Sequence, residues 1–183
     1  MESAGGDPFD STGQQSLAAR LPKIWIGYAL AFATLLGEMY SIAENPALAD
    51  GTGPIPLAVY LPVFVGVVYW LVCVHRYHVI LSEVPGWVHP VTPNRAVWFH
   101  FIPVYNLFWV FKWPEAIAEF VNKRLASQQM KGWIVGAGFL VSLLFRLFLD
   151  ASLGIIILFL TCTYVSFYLK KAFEVAGPRS AEQ

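Results

Sequence analysis

The sequence predicts an all-α polytopic membrane protein with four transmembrane helices, a Pro-broken re-entrant segment and an interfacial amphipathic helix. Three observations predict it. Hydrophobic residues make up 57% of the chain and charged residues 13%, against roughly 45–50% and 25% in soluble domains. Several apolar runs approach the roughly 20 residues that a hydrocarbon core requires. One topology also places almost every Lys and Arg on one side of the membrane, as short cytoplasmic loops demand.

At 183 residues there is room for one compact unit, so residues 21–172 read as a single helical membrane domain. Residues 1–20 lack the basic start and apolar core of a cleavable signal and read as a disordered cytoplasmic tail. Residues 173–183 form a short polar tail, and no repeat recurs along the chain. Lys plus Arg and Asp plus Glu are 12 each, which gives nucleic acid no electrostatic hold. Cys73 and Cys162 both lie in apolar runs and read as buried thiols, not as a disulfide framework.

The first span, about 24–43, is preceded by Arg20 and Lys23 and carries Trp25, Tyr28 and Tyr40 near its ends, where amphipathic rings prefer to sit. The connection from Glu44 to Gly53 is acidic and turn-rich. The second span, about 56–80, contains Pro62 and ends in His75, Arg76, Tyr77 and His78. A Pro/Gly-rich loop leads to residues 93–112, which are apolar but broken at Pro103 and Asn106. Residues 114–130 form an amphipathic helix: Pro114 suits its first turn, and Ile117, Phe120, Val121 and Leu125 share a face opposite Glu115, Glu119, Asn122, Lys123 and Arg124. The remaining apolar stretch is too long for one span. It divides near Asp150 into a hairpin with arms at about 132–149 and 152–170.

Charge decides how 93–112 sits. If it crosses, giving five spans with the N-terminus inside, four basic residues lie inside and seven outside, the wrong sign; the inverted five-span protein has seven inside and four outside, only a weak preference. If it dips and returns, both termini are cytoplasmic and every Lys or Arg except Arg146 is cytoplasmic. Non-helical backbone at membrane depth must be covered by protein, so the dip is expected to be buried among the four spans. This topology brings Glu38 and Arg146 to similar depths, roughly 9 and 6 Å from the outer face by helical rise, and predicts an intramembrane ion pair between them.

His75, His78 and His89 gather near the cytoplasmic surface, where three imidazoles can ligate a metal or two can serve a haem or pigment. No HExxH, CxxC or CxxCH accompanies them, so no metal site and no cofactor is predicted. His100, on the opposite side from Asn106 in a continuous helix, is expected to bond a backbone carbonyl. Gly132 and Gly136 have the spacing that lets helices approach, here for internal packing. Trp87, Trp98, Trp109, Trp113 and Trp133 read as an interfacial belt.

Within the dip, Pro93, Ala96, Phe99, Ile102, Pro103, Asn106 and Trp109 recur at steps of three or four. This P-x-x-A-x-x-F-x-x-I-P-x-x-N-x-x-W run resembles a signature of small bacterial integral-membrane proteins grouped as a domain of unknown function. The resemblance covers about a quarter of the chain. It implies a bacterial inner-membrane location and carries no reaction with it. Physically, Pro103 frees the Phe99 carbonyl, and Asn106 is placed to satisfy it or to cap the next helix.

No catalytic constellation is legible: there are no paired catalytic carboxylates, no nucleophile beside a base and no zinc motif. The expected function is a non-enzymatic accessory or scaffold subunit, with the lipid bilayer and membrane-protein chains or further copies as partners. The alternatives are an oligomeric channel or transporter using the Pro103–Asn106 break, and a His-ligated haem or pigment subunit.

Overall fold

The computed structural model describes residues 11–48 and 57–175. Residues 1–10, part of the acidic connection and the last eight residues of the polar tail lie outside the described residues. Among the described residues all regular structure is helical. The helices are α1 (Ser11–Ala19), α2 (Ile24–Glu44), α3 (Leu57–Ser82), α4 (Pro93–Trp98), α5 (Pro103–Arg124), α6 (Gly132–Phe148) and α7 (Ala151–Glu174), with one-turn 3-10 segments at Pro46–Leu48 and Phe99–Phe101. Three helical stretches, holding α2, α3 and α7, are long and apolar enough to cross a membrane, and α6 is a shorter apolar helix.

The hub is α7, which packs against α2, α3 and α6 and also meets α1 and α5. Small residues set its close approaches. A Cβ on Gly27 of α2 would collide with Thr163, and one on Gly66 of α3 would stand 2.8 Å from Ile155. A Cβ on Gly138 of α6 would lie 2.5 Å from Thr161 Oγ1. Without a hydrophobic force between helices in lipid, such close backbone packing carries much of the association. These pairings make α2 and α6 antiparallel to α7 and α3 parallel to it. Lys23, Arg76, Lys131, Lys170 and Lys171 therefore gather at one end of the bundle. The α6–α7 turn is fixed by Asp150, whose Oδ1 accepts the Leu153 N–H at 2.6 Å as an N-cap.

Four expectations change. Residues Ser11–Ala19 form a helix instead of a disordered tail, because Gln14 and Leu17 are buried and Gln14 Oε1 accepts a hydrogen bond from Arg124. The helix expected to begin at Pro114 is the second half of α5, which runs through that proline from Pro103 to Arg124. Its apolar face is covered by protein instead of resting on lipid: Ile117, Phe120 and Val121 are buried, and Asn122 clasps the backbone N–H and carbonyl of Met130 at 2.9 and 2.8 Å. The tryptophan belt also divides, since Trp98 and Trp133 are exposed while Trp109 and Trp113 are core residues.

Gly132 and Gly136 pack internally. A Cβ on Gly132 would lie 2.8 Å from both N and Cα of Glu115, and one on Gly136 would strike the Phe111 ring. Backbone cannot step aside as a flexible side chain can. Gly132→Ala is therefore expected to cost about 1–3 kcal/mol and to lower the thermal midpoint in detergent by several degrees. Gly37→Ala, where nothing lies within 4 Å of the new Cβ, should leave the midpoint unchanged or raise it. Equal melting of the two variants would contradict this packing.

Candidate functional site

The motif residues build a helical hairpin. Pro93 occupies the first turn of α4, and Ala96 is fully buried. The Ala96 carbonyl accepts two hydrogen bonds, from His100 Nδ1–H at 2.7 Å and from Trp109 Nε1–H of α5 at 3.1 Å. Phe99 packs edge-on against Trp109, with ring centroids 4.8 Å apart, and against Tyr105 at 5.0 Å. Ile102 is extended (φ −93°, ψ 106°), as a residue preceding proline prefers, and Pro103 restarts the helix. The Asn106 N–H then bonds the Ile102 carbonyl at 2.8 Å.

Because the chain is broken at Ile102, His100 and Asn106 do not keep the helical phase that would place them on opposite sides. Both line one cavity of about 170 Å³, with Trp70 from α3 and Phe139, Ser142 and Arg146 from α6 among its other walls. The Asn106 side chain caps nothing: its Oδ1 is buried and lacks a hydrogen-bond partner among the described residues, as do His100 Nε2 and Trp70 Nε1. A carbonyl only accepts, so His100 carries its proton on Nδ1, and the neutral ring presents a lone pair at Nε2.

The expected Glu38–Arg146 ion pair is not formed among the described residues. Glu38 meets the side chains of Asp150 and Ser152 instead. The reason is packing: α2 lies on α7, so its C-terminal half reaches the start of that helix. The Arg146 stem lies against Gly154 of α7, where a Cβ would collide with it, and its side chain lines the cavity.

The three-histidine set also comes apart. His75 is exposed and lines a surface groove with Arg20, Arg76 and Asn94, whereas His78 is fully buried. His78 Nδ1 and His89 Nε2 are 2.6 Å apart, and their rings lie 4.9 Å apart. Two imidazoles so joined leave no space for a porphyrin between them, and no group of three metal-ligating side chains forms among the described residues. Trp87 Nε1–H donates to His89 Nδ1 at 3.3 Å, so the proton on Nε2 of neutral His89 is the one shared with His78. The pair is a polar link between the loop and α3. Sequence reasoning missed Trp70 and Ser142 entirely; neither carries a local signal, because only the packing of α3 and α6 brings them to the turn.

Outside the apolar helices, Arg20 and Glu83 pair through two hydrogen bonds, one of them 3.0 Å from Nη2 to Oε1, and the guanidinium holds the carboxyl below its usual range. Burial lowers His89 to about 4. An unfolded His89 takes up a proton near pH 6.5 while the folded one does not, so its contribution to stability is whole above that value. The contribution is lost as pH falls from 6.5 towards 4. Histidine-selective NMR in detergent should show no protonation of His89 above about pH 5, and a midpoint near 6.5 would contradict the burial.

No protein family, curated protein or solved structure matches the chain.

Proposed function

We propose that this is a four-span protein of the bacterial inner membrane with both termini cytoplasmic, and that it acts as a non-enzymatic subunit of a larger membrane assembly. In this reading α2, α3, α6 and α7 cross the bilayer and α4–α5 is the re-entrant element. The antiparallel run of α5 along α6 supports the return: from the Glu115–Gly132 contact, α5 rises roughly 18 Å to Pro103 by helical rise. Glu38 and Asp150, at the far ends of α2 and of the α6–α7 hairpin, meet as a return requires.

One observation carries the subunit reading. The dip is not enclosed by the four spans as the sequence suggests, but sits at their flank. Phe101, Ile102 and Val104 at its turn are 58%, 48% and 84% exposed. Helix-breaking backbone facing lipid is not tolerated in the hydrocarbon region, where each unsatisfied polar group costs several kcal/mol. In this reading a second protein surface covers the turn, where the helix is broken at Ile102.

Two experiments test this. In intact cells, a cysteine at Gln128 should be protected from an impermeant outside reagent while one at Ala49 is labelled; labelling at Gln128 would sink the topology. A photo-crosslinking residue at Val104 should capture protein in membranes, whereas one at Phe32, on the outward face of α2, should capture mainly lipid. A product at twice the mass of the chain would indicate a homo-oligomer, the arrangement a channel needs. Capture of lipid alone at Val104, with a solitary monomer in mild detergent, would overturn the subunit reading.

A further inference from the structure

The cavity at the hairpin turn holds an electrostatic imbalance. Arg146 is partly buried and forms no ion pair among the described residues, while Glu38 lies beside Asp150 at that end of the bundle. Arg146 reaches this cavity from the C-terminal end of α6, one turn beyond Ser142. An ionised group in the membrane interior costs about 2.5–3.5 kcal/mol or more unless it is paired. Across the cavity the groups differ in kind: among the described residues His100 Nε2 and Asn106 Oδ1 are buried acceptors without donors, and Trp70 Nε1–H is a buried donor without an acceptor. A complementary occupant thus brings negative charge for Arg146 and an O–H for His100 in one compact group.

We propose that the cavity between Arg146 and His100 binds a phosphomonoester-type anion, such as the headgroup of an anionic lipid entering from the side. A singly protonated phosphomonoester offers both parts: P–O⁻ oxygens that accept two N–H bonds from the guanidinium fork, and a P–OH that donates to Nε2. At about 170 Å³ the cavity holds one such tetrahedral group, while acyl chains remain in the bilayer. A phosphodiester has the charge but no P–OH, and a choline headgroup adds a cation beside Arg146. The site rests on the membrane reading but needs no partner chain: binding without Val104 crosslinking would fail the subunit reading alone.

The test is native mass spectrometry of the full chain in detergent with added lipids. Phosphatidic acid should bind at least tenfold tighter than phosphatidylcholine, with phosphatidylglycerol between them. Arg146→Gln should abolish the anionic preference, and Arg146→Lys should retain part of it. His100→Asn keeps an amide N–H where Nδ1–H bonds Ala96 but removes the Nε2 lone pair. It should reduce phosphatidic acid to the level of phosphatidylglycerol while the protein still melts in one cooperative transition. Displacement by millimolar inorganic phosphate would assign the site to free phosphate; resistance to it would assign the site to a lipid headgroup. Equal binding of phosphatidylcholine and phosphatidic acid, or wild-type phosphatidic acid binding in both Arg146 variants, would overturn the proposal.

Discussion

The double acceptance at the Ala96 carbonyl is the constraint on which the unusual part of this structure depends. One oxygen takes a hydrogen bond from His100, on its own arm of the hairpin, and another from Trp109 on the descending arm. Each intramolecular hydrogen bond contributes only about 0.5–1.5 kcal/mol in a watery setting. In an apolar one, the alternative of an unpaired group makes them harder to give up. The same bond fixes the His100 tautomer, and with it the chemical character of the cavity.

The rest of the bundle is held differently. Around α7 the contacts are steric, between glycines and the hydroxyl or branched side chains of Thr163, Ile155 and Thr161. Buried polar bonds add register: Tyr77 Oη donates to the Cys162 carbonyl at 2.8 Å and lies 2.8 Å from Ser166 Oγ, tying α3 to α7. Steric fit brings the helices close, and these few directional bonds prevent them from sliding.

Much of this was legible in the chain. Hydropathy located the long helices to within a few residues, and Asp150 marked the turn of the last hairpin because an N-cap is a local signal. The phase of residues across a break was not legible. Periodicity placed His100 and Asn106 apart, since nothing in their spacing encodes the extended backbone at Ile102 that brings them together. Pro114 misled for a related reason. A proline ends a helix only when its lost hydrogen bond is not outweighed, and burial of Trp113, Pro114 and Ile117 outweighs it here. The partner of Glu38 depended on which helices are neighbours, and a charge count fixes depth without fixing adjacency.

The absent side chain at Gly132 has a mechanical consequence. It lets α6 touch the backbone of α5 at Pro114–Glu115, near the middle of a rod roughly 33 Å long. The seam continues one turn further on, where Gly136 admits the Phe111 ring. Two glycines thus seat α5 at two levels and block it from sliding along α6. The Arg124–Gln14 contact at the far end of α5 therefore ties α1 to the α6–α7 hairpin at a set distance.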